Sequence, residues 1–246
     1  MKKQFILLLI ISTVLISCGK IIDYSNEFST ATFINASPGS PAINVIIDSI
    51  NQTGSAIVYR GVSLPLNVNP GSRKILLKSN SLIVPANFVS LPAENFVTKT
   101  SSTFINYDTL ATPTGALRVL RLTDDFTTPA AGTIKVRYIP VAIYAPASDI
   151  TFLRTTVTPA DSVTITNQTY VGASPSATLL ATLSKFTQIP AGNYTIKQKI
   201  AGTQTVIATA TLTTTFGGVN KGIFTVYSTG GAVNLPLVIS AVRQYP

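Results

Sequence analysis

The chain has 246 residues, 46% of them hydrophobic and only 11% charged, with 18 Lys and Arg against 9 Asp and Glu, a net charge of +9 and no histidine. Such an apolar content is far from a disordered composition, and the length suits one large or two modest domains. The missing histidine excludes Ser-His-Asp and Cys-His nucleophilic machinery and histidine-bearing zinc sites, and the single cysteine excludes an intramolecular disulfide.

The N-terminal stretch "MKKQFILLLIISTVLISCGK" places two lysines before an apolar run over residues 5–16. That is the pattern of a secretory signal, and the run is short for a membrane span, which needs about 20 apolar residues. Leu15-Ile16-Ser17-Cys18 resembles the bacterial lipobox. The resemblance implies cleavage before Cys18 and acylation of its thiol and new amino terminus; several acyl chains hold a protein stably where one does so only marginally. The alternative is an ordinary secreted protein with a chance cysteine. Residues 1–17 are thus read as a removed signal peptide and residues 18–30 as a lipid-anchored tether. Gly19 follows the cysteine where an aspartate would suggest inner-membrane retention. The expected address is the bacterial cell envelope, with the outer membrane as default and the leaflet open. Loss of Lys2 and Lys3 would lower the net charge from +9 to +7.

Beyond residue 30 period-two alternation dominates. In "RKILLK" Ile75 and Leu77 oppose Lys74 and Lys78. In "YTIKQKI" Tyr194, Ile196, Gln198 and Ile200 oppose Thr195, Lys197 and Lys199, and in "TVIATATLTT" Val206, Ala208, Ala210 and Leu212 oppose threonines. Each reads as a strand with one buried and one wet face. Pro and Gly pairs such as "NPGS", "PAGN" and "TFGG" mark the turns, and no segment past the signal has helical periodicity. The expected fold is all-β.

The order of patterns repeats. "TFINASPGSPAINVIID", "NVNPGSRKILLK", "ENFVTKTSSTFINYDT" and "ALRVLRLTDD" in the first half answer to "IKVRYIPVAIYAPASDITF", "QIPAGNYTIKQK", "GVNKGIFTVYSTGG" and "NLPLVISAVRQY" in the second. This predicts two tandem immunoglobulin-like or transthyretin-like antiparallel β-sandwiches over residues 31–130 and 131–246, with a boundary at "TTPAAG", residues 127–132. "INASPGSPAINVIID", "VNPGSRKILL" and "IPAGNYTIK" resemble the opening motif and the turn-and-strand segment of the DUF4397 family, as two copies of which the second lacks the Ser-Pro pair. The resemblance implies an exported, often lipid-anchored β-sandwich protein of Bacteroidota type, and transfers no catalytic residues.

Few residues suggest chemistry. The basic side chains are scattered singly, which favours solvated strand faces over a phosphate-tracking patch and argues against a nucleic-acid partner. A Ser-x-x-Lys pattern, Ser17 to Lys20, would be cut apart by processing at Cys18. The only adjacent carboxylates, Asp124 and Asp125, read as strand-end residues that cap backbone amides. No calcium loop, Walker motif or other metal or cofactor signature is present. Among the aromatics, Phe104, Phe152 and Phe224 read as core, whereas Tyr59, Tyr107, Tyr144 and Tyr170 lie near turns, as turn-closing or core groups or as partly exposed rings for a sugar. Three Asp-Ser/Thr-aliphatic matches, at Ser49, Thr109 and Ser162, resemble the O-glycan acceptor of exported Bacteroidota proteins; the alternative is that Asp48, Asp108 and Asp161 close turns. The expected function is non-catalytic: an adhesion, scaffolding or binding module tethered to the membrane, with an envelope protein or a glycan as partner. The alternative is a glycan-binding lipoprotein serving polysaccharide uptake.

Overall fold

The structure, a computed structural model, describes residues 27–80, 87–109, 117–154, 157, 160–213, 215–216, 219–220, 222–231 and 235–245. The signal peptide, Cys18 and nearly all of the tether lie outside the described residues.

The first half folds into eight strands. β1 (Ser29–Asn35), β4 (Leu66–Val68), β7 (Ser101–Tyr107) and β8 (Arg118–Asp124) form a sheet of order β4-β1-β7-β8, and β2 (Ile43–Ile47), β3 (Ile50–Asn51), β5 (Gly71–Ser79) and β6 (Asn87–Phe96) form a second of order β3-β2-β5-β6. The second half repeats this plan. Its sheets have the orders β12-β9-β17-β18 and β11-β10-β13-β14, built from β9 (Thr133–Pro140), β10 (Ser148–Arg154), β11 (Asp161–Gln168), β12 (Thr187–Pro190), β13 (Tyr194–Ile200), β14 (Val206–Leu212), β17 (Ile223–Thr229) and β18 (Val238–Tyr245). A small ribbon, β15 (Thr215–Phe216) with β16 (Val219–Asn220), precedes β17. Among the described strands, no pairing crosses residues 125–132. The protein is thus all-β, two β-sandwiches in tandem.

Pairing is antiparallel except at β1–β7 and β9–β17, which are parallel and hold equivalent places in the two halves. Local chemistry sets the turns. Ile47 pairs with Ile50, and the two residues between them, Asp48 (φ 47) and Ser49 (φ 74), take the left-handed conformations of a two-residue hairpin.

Each sandwich has its own interior. Phe33, Phe104, Val45, Ile75 and Leu77 fill the first, with the Phe33 and Phe104 rings stacked at 4.8 Å. Val136, Phe152, Ile196, Phe224 and Val226 fill the second. A third core lies between the sandwiches, where Ile34, Ile105, Tyr107, Leu120 and Leu122 meet Ile139, Val141, Tyr227 and Val242. The β4-β1-β7-β8 and β12-β9-β17-β18 sheets are therefore covered on both faces, giving four layers. The inner strands therefore lack the wet face read for the three quoted outer segments: six of seven residues in β7 and all seven in β17 are buried. Parallel pairing occurs in such doubly covered sheets. The outer strands keep the expected alternation, as in β5 and β13.

One correction is a helix, α1 (Ala177–Leu183), between β11 and β12. Ser176 caps it by accepting from the Leu179 amide, and Leu183 is buried in the inter-sandwich core with Leu179 and Leu180 packed against it. Seven threonine- and leucine-rich residues are too few to show a helical period. No helix among the described residues is long and apolar enough to cross a membrane.

Candidate functional site

The carboxylates come first, because general acid-base chemistry would need them. Asp124 lies in the inter-sandwich core rather than in a turn. It accepts from Arg137 at 2.6 Å and from Thr103 at 2.8 Å, and the Asp124 and Arg137 side chains are each 1% exposed. The expected amide-capping role therefore fails for this residue: β8 continues through Asp124 and aims its side chain at β9. Burial pushes the Asp124 carboxyl up against the opposing pull of Arg137 and Thr103, and burial pulls the Arg137 guanidinium down. Thr225, Gln244 and the Phe186 ring complete the surroundings of Arg137. Asp125, one residue on, faces the other way and does cap, accepting the Thr127 amide at 3.0 Å. Its bonds to Lys135 and Thr127 hold it down at about 2.

The remaining carboxylates of the sandwiches are equally engaged. Asp48 binds Arg73 and the Lys74 amide, Glu94 binds Arg121, Asp108 binds Arg118 and Tyr170, and Asp161 binds Arg154. Asp149 accepts the amides of Asn167 and Gly202. Among the described residues no group of three or more His, Cys, Asp or Glu is placed to hold a metal ion.

The three glycan-acceptor candidates separate. Ser49 at the hairpin tip and Ser162 in β11 are exposed. Thr109 is 1% exposed and donates its hydroxyl to the Pro38 carbonyl at 2.9 Å. The folded chain therefore cannot present Thr109 to a transferase, a correction that the flanking turn residues gave no hint of. The aromatics separate too. Phe104, Phe152 and Phe224 are core, and Tyr107 is buried with its hydroxyl donated to Gly172. Tyr59 and Tyr170 are half-buried, and Tyr144 is 57% exposed.

The junction of the sandwiches leaves a polar groove of about 630 Å3. Tyr59 and Arg60, from the β3–β4 connection of the first sandwich, face Thr209 and Thr211 of β14 and Ser240 of β18 in the second. Arg60 is held at three points. Its amide donates to Asn35 at 2.7 Å, its carbonyl accepts from Tyr227, and its Nε donates to Ser240 at 2.8 Å. Its φ of 65° lies in the left-handed region that a side chain makes unfavourable. No carboxylate pairs with it among the described residues, whereas Arg73, Arg118, Arg121, Arg137 and Arg154 each have one. Sequence reasoning picked out Tyr59 but missed Arg60, since "VYRGV" carries no mark of what a distant strand will do to it.

The opening motif is structural. Asn35 accepts from the Ser37 amide and from the Ser40 and Asn106 side chains and donates to the Ile57 carbonyl, while Ser37 donates to the Asp108 carbonyl. In the second half Pro140 pairs with Ser228 where Asn35 pairs with Asn106, so this polar knot is absent there.

An eight-stranded sandwich built twice, with its carboxylates bound into the frame and a polar groove open at the junction, defines the class as an all-β double-sandwich protein. The chain belongs to the family described as Domain of unknown function (DUF4397), whose model matches residues 29–151. That single match covers the first sandwich and continues into β10 of the second. Among solved structures the chain is similar to CBMbc (family CBM26) from Eubacterium rectale Amy13K in complex with maltoheptaose, at 10% identity over 88% of this chain and 98% of that one, with a TM-score of 0.25. A superposition that loose carries no inference. No curated protein matches the chain.

Proposed function

We propose that the protein is a non-catalytic binding module of the bacterial cell envelope, anchored through acyl chains on Cys18, most naturally to the outer membrane, and serving adhesion, scaffolding or ligand capture. The observation that carries the non-catalytic part is the engagement of all seven carboxylates within the sandwiches by arginines, lysines or backbone amides. A carboxylate locked in an ion pair or an amide cap is a poor proton shuttle, and the chain has no histidine to replace it. Residues 31–130 and 131–246 are the two units of this module, and nucleic acid is not among its partners. Exposed Ser49 and Ser162 are the remaining sites for O-linked sugars, readable as mass increments lost from native protein on their substitution by alanine.

The alternative, a glycan-binding lipoprotein of polysaccharide uptake, is favoured by one observation, the hydroxyl-lined groove between the sandwiches. Two experiments test the proposal. Cys18→Ser should release the protein from membranes with its fold intact, and persistent detergent-dependent association would overturn the anchor. A glycan array beside a pull-down on residues 19–246 should yield a specific ligand; turnover of any arrayed glycan would overturn the non-catalytic reading.

A further inference from the structure

The groove at the junction contains the one described arginine held firmly by both sandwiches yet left without a counter-ion. Ser240, which receives its Nε, is 7% exposed, and Tyr227, which binds its carbonyl, is fully buried. With Nε committed, the two terminal nitrogens have no partner among the described residues, and Arg60, which is exposed, lines the groove. No aspartate or glutamate lines the groove, so nothing there repels an anion.

The backbone makes the same point. On the opposite side of the junction Tyr107 of the first sandwich donates to a left-handed residue of the second, and that residue is Gly172, φ 79. Here Tyr227 of the second donates to a left-handed residue of the first, and it is Arg60, φ 65. Glycine takes this conformation without steric penalty, whereas a side chain makes it unfavourable. Arg60 therefore holds a conformation that favours glycine while its Nε ties the two sandwiches together and no carboxylate pairs with it among the described residues.

We infer that this groove binds an acidic saccharide, with a uronic-acid carboxylate seated on the terminal nitrogens of Arg60. The guanidinium fork matches a carboxylate with two parallel N–H···O bonds, stronger than neutral hydrogen bonds. The exposed hydroxyls of Thr209 and Thr211 suit the hydroxyl-rich faces of the sugar rings, and the half-buried Tyr59 ring offers an amphipathic surface beside the arginine. The volume is within the range of small-ligand sites. An acidic peptide is less well matched, because acidic motifs are recognised by clusters of arginines and this groove is lined by a single one. The inference rests on the proposal that the protein is a binding module, and names a ligand class and a site for it.

Titration calorimetry on residues 19–246, which retain both sandwiches, compares tetragalacturonate with neutral maltotetraose and with an aspartate-rich peptide. The expected result is binding of the uronate alone, weakened by salt. Arg60→Gly, which removes the fork and suits the left-handed backbone, should lose at least tenfold in affinity with an unchanged circular-dichroism spectrum and no loss of melting temperature. Arg60→Lys, which keeps the charge and loses the fork, should fall between. Uronate binding unaffected by Arg60→Gly, or equal binding of the neutral tetramer, would overturn the site while leaving a saccharide-binding module in place. Preference for the peptide would overturn the saccharide assignment. Binding of none of the three would overturn the inference, and the pull-down would then decide the broader reading separately.

Discussion

Arg137 of the second sandwich donates to Asp124 of the first at 2.6 Å, and neither side chain is more than 1% exposed. The pair spans the segment that joins the sandwiches, in a layer also occupied by Thr103, Thr225 and Gln244. Removing one partner of a buried ion pair strands the other charge away from water, a loss of about 3–5 kcal/mol. Arg137→Ala and Asp124→Ala should each lower unfolding stability in urea by roughly that amount. The double replacement Asp124→Leu with Arg137→Met should lose much less, because no charge is then left unpaired. Additive losses in the cycle would show that the two residues do not act as a pair.

Acid should weaken the protein through the exposed caps. Asp48, Asp149 and Asp161 are held below the ordinary carboxylate range, the first two chiefly by backbone amides and Asp161 by Arg154, and Asp125 is held at about 2. A depressed folded-state value means stability that is present above the unfolded value and lost as pH falls through the folded one. Melting temperature should therefore hold down to about pH 4–5 and fall between about pH 4 and 2. Asp125→Asn should flatten that fall; an identical acid limb in the variant would show that Asp125 has no share in it.

Base acts on the tyrosines. Burial pushes the Tyr107 and Tyr227 hydroxyls up to about 12 and raises Tyr138, Tyr170 and Tyr194 as well. With the folded-state value raised, this stability is complete below the unfolded value near 10 and lost as pH rises through the folded one. Absorbance at 295 nm should show these five ionising late, together with the loss of near-ultraviolet circular dichroism. Their ionisation near pH 10 with the fold intact would contradict their burial.

The first sandwich alone should be weaker than the whole. Residues 28–130 contain a complete interior around Phe33 and Phe104, and roughly a hundred residues suffice for a sandwich. Separation, however, leaves Ile34, Ile105, Leu120 and Leu122 facing water on a sheet built to be covered twice. The fragment is expected to melt below the full protein and to self-associate in sedimentation runs, as an exposed apolar face does. A monodisperse monomer as stable as the full chain would show that the inter-sandwich core contributes little.

What the amino-acid order determined by itself was whatever depends on near neighbours. Alternation in β5 and β13, the Pro and Gly pairs at the turns and the repeated succession of motifs are all local, and they were enough for an all-β double sandwich. The engagement of Asp125 at a turn was local too, and equally legible. What tertiary structure alone decided is the meaning of the polar faces of the inner sheets. Arg137 and Thr225 stand between apolar residues, and Thr103, Asp124 and Gln244 have polar neighbours, just as wet-face residues do, because a strand pattern records which residues share a face and not what covers that face. Only the stacking of the sandwiches turns those side chains into a buried network and brings Arg60, 180 residues away in sequence, against Ser240. Such contacts depend on docking one folded sandwich on another, a relation between distant segments that no short-range period encodes.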